Sequence, residues 1–214
     1  MAGKPICYVF GAGAPPVRFP KITASDLVIA ADGGYAWTRA AGIRTDVVIG
    51  DFDSLGRAPE LVSDGPVVLR LPAEKNETDT LAALQYGLER GFRCFHIYGG
   101  MGGRFDHTLA NIQCLGFLAG CGARGYLHDC VTVLTAFSGE IRLAARRRGT
   151  ISVFALGGPV EGVWLRGLKY ELENAALTPD NPLGVSNAFT GQQVQIKSER
   201  GVLLVAYPAG VREM

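Results

Sequence analysis

The chain has 214 residues, enough for one substantial core or two modest domains, and its 21 basic and 20 acidic side chains leave a formal charge of +1. So even a balance carries no electrostatic footprint for nucleic acid or an anionic membrane surface, and the expected partner is a small molecule. Five cysteines, at 7, 94, 114, 121 and 130, are odd in number and form no CxxC pair. With three of them in apolar runs, they read as reduced core thiols rather than as a disulfide framework or a zinc site. The N-terminus lacks a basic segment ahead of a long apolar run, and no stretch of about 18 uninterrupted apolar residues occurs, so the expected location is the cytoplasm.

Ile6 to Phe10 is a short apolar run closed by Gly11-Ala12-Gly13-Ala14-Pro15-Pro16, a first strand feeding a glycine-rich loop. That loop has neither the Lys-Ser/Thr ending of a Walker loop nor dinucleotide-fingerprint spacing, so it reads equally as a phosphate wrap or a bare turn. Leu27 to Ala31 is the next strand, with Asp32 at its end and Gly33-Gly34 leaving room for close approach of backbone or ligand. Tyr35 to Ala41 follows as a short helix stopped by Gly42. Val47-Val48-Ile49 is a continuous apolar run, as expected for a strand covered on both faces, and leads into Gly50-Asp51-Phe52-Asp53-Ser54. An extended backbone here would put Asp51 and Asp53 on one side, able to share a cation, and turn Phe52 away to pack.

Val67 to Leu71 is read as a strand, and about Glu77 to Arg90 as a helix with a stripe of Leu81, Leu84 and Leu88. Asn76 is the expected cap, and Asp79 then has an ordinary reading as a favourable charge in the first turn. Cys94 to Tyr98 is a further strand, ending in Gly99-Gly100-Met101-Gly102-Gly103-Arg104-Phe105-Asp106-His107. Four glycines in five residues expose backbone N–H groups to an anion, Arg104 adds a planar fork for phosphate oxygens, and the helix from about Asp106 to Ala119 opens at the same point. That helix is expected to turn Leu109, Ile112 and Leu115 or Gly116 inward. Arg124 to His128 and Thr132 to Thr135 complete the strand-helix repeats, which predict an α/β domain over 1–137 with a mostly parallel sheet and flanking helices.

From Ser138 the pattern changes to short alternating strands: 141–143, 151–155, 163–165, 194–196 and 203–205, separated by Gly-Pro and Arg-Gly turns. Residues 138–214 are accordingly expected to form an all-β sandwich domain. Arg146-Arg147-Arg148 is too short a basic run to indicate nucleic acid. Ser186-Asn187, after a polar, turn-rich stretch, could read a polar ligand or close a hairpin.

Ligands of parallel sheets bind beyond the C-terminal strand ends, where Asp32, Asp51, Asp53 and the second glycine-rich loop fall. Carboxylates, one Arg and glycine-rich backbone suggest Mg²⁺-assisted phosphoryl chemistry. His96, on a strand, reads as structural, and neither Ser54 nor His107 has a partner that would make a nucleophile pair. Asp51-Phe52-Asp53 superficially matches haloacid-dehalogenase-type phosphatases and sugar-nucleotide transferases, but neither accounts for Asp32-Gly33-Gly34 together with the second glycine-rich loop. A catalytically inert nucleotide-sensing module is the reading from another class.

Taken together, Ala31-Asp32-Gly33-Gly34, Gly42-Ile43 ahead of Asp46, Ile49 to Ser54, Lys75 through Thr78-Asp79, Gly99 to His107, Gly167 to Leu172 and Ser186-Asn187 resemble the thiamine pyrophosphokinase family over nearly the whole chain. The resemblance implies Mg²⁺-dependent transfer of pyrophosphate from ATP to the thiamine hydroxyl, giving thiamine diphosphate and AMP. It also implies a homodimer, an ATP-binding catalytic domain over 1–137 and a thiamine-binding domain over 138–214. Carried over by motif, Asp51, Asp53 and Asp79 would be the metal and catalytic carboxylates. Asp32, Gly33, Gly34, Lys75, Arg104, Asp106 and His107 would belong to the nucleotide site, and Ser186 and Asn187 to the thiamine site.

Overall fold

The computed structural model describes residues 4–16, 18–52, 65–72 and 77–214; Asp53, Ser54, Lys75 and Asn76 lie outside the described residues. Contacts group the chain into two compact units, Met1–Cys114 with Leu127–Asp129, and Leu115–Tyr126 with Cys130–Met214. No helix among the described residues is long and apolar enough to cross a membrane.

In the first unit, β1 (Cys7–Phe10), β2 (Leu27–Ala31), β3 (Val47–Gly50), β4 (Val67–Arg70) and β5 (Cys94–Tyr98) are parallel and lie side by side in the order β4-β3-β2-β1-β5. The mostly parallel sheet expected from the strand-helix repeats is therefore present. α1 (Gly34–Ala40) follows β2, α2 (Asp79–Glu89) precedes β5, and α3 (Phe105–Gly120) and β6 (Arg124–His128) follow it. The division between units falls within α3 and β6.

Period-2 alternation assigns the two faces of the sheet. Cys7 of β1 faces Gly87 of α2, where a Cβ would meet the Cys7 sulfur and the Phe95 ring. Tyr8 and Phe10 point the other way and cluster with Val28, Phe19, Ile22 and Ile43. With both faces covered, β1, β2 and β3 need no polar alternation, which is why they read as continuous apolar runs. At the N-terminal edge, buried Asp26 accepts from the Ile6 N–H at 2.9 Å and the Thr23 N–H at 2.7 Å, and Asp46 accepts from the Val28 N–H at 2.8 Å. These carboxylates satisfy backbone donors where the ladder starts.

Three local expectations change. The cap of α2 is Thr78, whose hydroxyl accepts from the Leu81 N–H at 3.2 Å. In α3 the buried positions are Asn111, Cys114, Leu115 and Leu118, at i, i+3, i+4 and i+7, while Leu109 is half exposed. Phe52 has φ 63, so the backbone is not extended at Phe52 as the Asp51-Phe52-Asp53 reading assumes; Asp53 itself lies outside the described residues. The Phe52 ring is buried against Ala30 and Val48, with Tyr35 and Val68 alongside. Full burial of Phe contributes roughly 2–3 kcal/mol, enough to offset the ~1–3 kcal/mol cost of the left-handed backbone.

The second unit is β-rich. β7 (Thr132–Phe137), β8 (Glu140–Leu143), β9 (Thr150–Arg166), β10 (Leu172–Leu177), β11 (Asn187–Ala188), β12 (Val194–Lys197) and β13 (Arg200–Pro208) pair antiparallel around one core containing Ile151, Val163, Leu165, Ile196 and Val205. The two strands expected at 151–155 and 163–165 are a single 17-residue β9. Gly157-Gly158-Pro159 is absorbed as a bulge: β9 pairs Leu156 with Val202 and then Glu161 with Arg200, leaving the four residues 157–160 opposite Gly201 alone. Beyond the bulge β9 leaves β13 and pairs with β10 and β12, so one strand serves two ladders and a turn was read where the chain only bends.

All five cysteines are free thiols; Cys7 and Cys114 are buried, and burial pushes Cys114 up to about 11. His96 of β5 and His128 of β6 meet through Nδ1 and Nε2 at 2.8 Å, and Tyr98 stacks on the His128 ring at 4.5 Å. One ring must donate and the other accept, so both cannot be charged in this contact. Burial lowers His96 to about 4, and burial together with neighbouring His96 lowers His128 further. The folded state therefore binds fewer protons than the unfolded chain once pH falls below the ordinary histidine value near 6.5. Stability contributed by the pair is complete above that value and is expected to be lost as pH drops toward about 4. Urea unfolding between pH 7.5 and 4.5 should show this slope, and it should flatten in the His96→Phe/His128→Phe double variant.

Candidate active site

The sheet order carries the first statement about the site. From β1 the chain builds outward through β2, β3 and β4, then returns to place β5 on the other side of β1. The reversal lies between β1 and β5, and ligands of open parallel sheets bind beyond the strand ends at such a point. The loops that leave β1 and β5 are the two glycine-rich loops, and they touch. The Gly11 N–H donates to the Tyr98 carbonyl and the Gly13 N–H to the Gly99 carbonyl, both at 2.8 Å. A Cβ on Gly13 would stand 2.6 Å from the Gly99 oxygen, and one on Gly99 would overlap the Gly11 carbonyl, so only glycine permits this backbone approach.

A cavity of about 570 Å³ opens beside them, within the first unit. Asp32, Asp79, Arg104 and His107 line it. Asp32 sits one residue past β2 with φ 46, its N–H donating to the Ile49 carbonyl at 2.8 Å. Gly50 lies against it, so that Asp51 leaves β3 on the adjacent strand end. Asp79 is the first residue of α2, presented beside the cavity by the Thr78 cap.

Arg104 precedes α3 and forms a two-pronged ion pair with Asp106, at 2.7 Å and 3.3 Å. The hydrogen bond to Asp106 raises Arg104, and the same bond holds Asp106 below the usual carboxylate range. Both side chains are largely exposed, so the pair orients the guanidinium rather than stabilising the fold. Asp106 aims Arg104 and does not itself line the cavity. Neither Gly33 nor Gly34 lines it. A Cβ on Gly34 would overlap the Phe10 carbonyl, so this glycine lets α1 seat against β1.

Asn111 is a residue that the sequence reading passed over. Buried on α3, it donates through Nδ2 to the Gly100 carbonyl at 2.8 Å and lines the cavity. Its place four residues after His107 and seven after Arg104, on one helical face, was the available signal. The first glycine-rich loop, which the sequence left open between a phosphate wrap and a bare turn, contributes Gly11 and Ala12 to the cavity wall.

Among the described residues no three His, Cys, Asp or Glu side chains come close enough to hold a metal by themselves. The donor chemistry nevertheless fits Mg²⁺, which takes one or two carboxylates and completes its shell with water and substrate phosphates. Asp32, Asp51 and Asp79 provide such oxygens; Asp53 lies outside the described residues.

Ser186 and Asn187 belong to the second unit. Ser186 has φ 58 and its N–H donates to the Ser152 hydroxyl at 3.1 Å. Buried Asn187 accepts from the Tyr170 and Ala188 N–H groups and donates to the Tyr170 carbonyl at 2.6 Å, clasping the segment that carries Lys169 and Tyr170.

An α/β sheet whose C-terminal edge carries carboxylates, an Arg and glycine-rich backbone has the architecture of phosphate-handling enzymes. Comparison with known proteins narrows this. The family model "Thiamin pyrophosphokinase, catalytic domain" matches residues 20–119, and "Thiamin pyrophosphokinase, vitamin B1 binding domain" matches 140–203, about three quarters of the chain between them. A thiamine pyrophosphokinase of Bacillus subtilis is 29% identical over 202 residues, covering 91% of this chain and 94% of its own, and a thiamin pyrophosphokinase of Caenorhabditis elegans is 28% identical, covering 73% and 68%. The crystal structure of a thiamine pyrophosphokinase from B. subtilis superposes with a TM-score of 0.81 at 26% identity, over 97% of this chain and 100% of the other. The chain belongs to the thiamine pyrophosphokinase family and is an enzyme of the transferase class.

Because Thr78 caps the helix that presents Asp79, Thr78→Ala is expected to lower stability by about 1 kcal/mol. Denaturant unfolding measures this directly.

Proposed function

We propose that the protein transfers the pyrophosphoryl group of ATP to the hydroxyl of thiamine, giving thiamine diphosphate and AMP. The observation that supports this most is the gathering of Asp32, Asp79 and Arg104 about one cavity at the reversal of the sheet order, in a chain whose two halves match the two family models. Residues 1–137 act as the ATP-binding catalytic domain and 138–214 as the thiamine-binding domain. The thiamine oxygen forms a bond to the β-phosphorus as the bond from that phosphorus to the oxygen bridging the α-phosphate breaks. AMP leaves with the bridging oxygen, and the hydroxyl proton passes to a carboxylate or to water.

The chain's own residues act chiefly by position and charge. Arg104, held in orientation by Asp106, receives phosphate oxygens, and the N-terminus of α3 behind it favours negative charge. Lys75 and His107 serve the same nucleotide. Asp51, Asp53, Asp79 and Asp32 would hold Mg²⁺, which when bound would neutralise phosphate oxygens and align the transferred group. Ser186 and Asn187 serve the thiamine side. The half-exposed Leu183 and Val185 next to them, with Tyr170, support a surface covered by a second copy in a homodimer.

An assay with ATP, Mg²⁺ and thiamine that separates AMP from ADP tests the reading. AMP with thiamine diphosphate is the expected result, whereas ADP with thiamine monophosphate would move the attack to the γ-phosphorus. Asp51→Asn and Asp79→Asn are each expected to lower turnover by about 10²-fold or more while moving the thermal midpoint little. Parallel loss of folding and turnover would remove these residues from the chemistry.

A further inference from the structure

The loop leaving β1, left open by the sequence between a phosphate wrap and a bare turn, stands at the reversal of the sheet order and forms part of the cavity wall. Three hydrogen bonds hold it. Two are backbone bonds, from the Gly11 N–H to the Tyr98 carbonyl and from the Gly13 N–H to the Gly99 carbonyl. The third comes from a side chain: the indole Nε1–H of Trp37, on α1, donates to the Gly13 carbonyl at 3.1 Å.

Trp37 is an uneconomical residue for this position if packing were its only task. It is about one-third exposed, and it is absent from the apolar clusters that hold Tyr35 and Ile43 on either side of it in sequence. Its defined polar contact is the bond to the loop. Between the two pinned glycines lies Ala12, exposed and on the cavity wall; its peptide N–H makes no hydrogen bond to any described residue. A peptide donor held between two pinned residues on the wall of a cavity that Arg104 also lines suits an anionic oxygen, because the ordering cost has been met before the ligand arrives.

We propose that the Gly11–Gly13 loop is a phosphate-binding element of the nucleotide site, with the Ala12 N–H as donor, and that Trp37 is the positioning residue that fixes it. This rests on the nucleotide reading of the cavity given above. The loop binds the phosphates, while Trp37 acts through its bond to the Gly13 carbonyl.

The first test is Trp37→Phe, which keeps the ring and removes the N–H. Loss of one hydrogen bond predicts about a fivefold weaker ATP affinity and a matching rise in the KM for ATP. The KM for thiamine should stay within about twofold and the thermal midpoint close to that of the unsubstituted protein. Unchanged ATP affinity overturns the proposal, and so does a variant that loses thiamine affinity and thermal stability in proportion, which would assign Trp37 to the fold alone. The second test does not depend on that variant folding. Trp37 and Trp164 are the two tryptophans of the chain, so in Trp164→Phe the indole emission reports Trp37 alone. Titration with ATP should change it saturably, whereas thiamine should not. Emission indifferent to ATP under conditions where calorimetry shows ATP bound overturns the proposal. Calorimetry that finds no ATP bound to the unsubstituted protein would instead overturn the nucleotide reading beneath it.

Discussion

The backbone contact between the loops leaving β1 and β5 is the constraint on which the rest of the first unit turns. Because the chain lays β2, β3 and β4 to one side of β1 and β5 to the other, the segments after β1 and β5 diverge from neighbouring strand ends and leave a crevice between the elements they lead to. Here the first few residues of both segments stay in contact, Gly13 N–H on Gly99 carbonyl and Gly11 against Gly99. Such proximity is available only without a Cβ on either side. Asn111 then ties the second loop to α3 and Trp37 ties the first to α1. The cavity wall is thus a double layer of peptide groups tied together and to both flanking helices.

The same residue type does opposite work at the two ends of the sheet. Asp26 and Asp46, at the N-terminal edge, spend their oxygens on backbone donors of Thr23, Ile6 and Val28. For Asp26, burial alone would raise the carboxyl, but these hydrogen bonds and nearby Arg44 outweigh it and hold it below its ordinary value. Asp32 and Asp79, at the C-terminal edge, line the cavity instead. Position along a parallel strand separates a carboxylate that completes the ladder from one presented to a ligand, and that position can be read from which end of the apolar run the Asp follows.

Much of this was legible before any coordinates. Continuous apolar runs at 27–31 and 47–49 mark strands buried on both faces, and the glycine clusters after β1 and β5 mark loops of close approach. The family's motifs added Asp79, which local reasoning takes for an ordinary first-turn charge. Long-range features were not legible. Gly157-Gly158-Pro159 reads as a turn because strand rules are local, whereas β9 continues through it by exchanging β13 for β10 and β12 as partners. The left-handed Phe52 was hidden for a similar reason: its ring is buried against Val48 and against Ala30, which is 22 residues away in sequence on a neighbouring strand. Asn111 escaped notice because it acts on backbone, and a backbone partner leaves no residue type to recognise.

Asn187 shows how far a motif position and a contact can differ in meaning. Its oxygen accepts from both the Tyr170 and Ala188 N–H groups, and its amide nitrogen donates to the Tyr170 carbonyl. With its oxygen doubly engaged and one of its two amide hydrogens used, Asn187 retains one donor and little freedom to reorient. Its observed work is on what it holds: the Gly167-to-Tyr170 segment, fixed also by Glu171 on the Gly167 N–H at 2.7 Å and by Thr190 on the Gly167 carbonyl at 2.9 Å. An exposed Tyr170 with Lys169 5.1 Å from its ring centroid is the surface this clasp presents. Aspartate at 187 would keep the two accepted bonds but set a carboxylate against the Tyr170 carbonyl, so even this nearly isosteric change would disturb the segment's geometry.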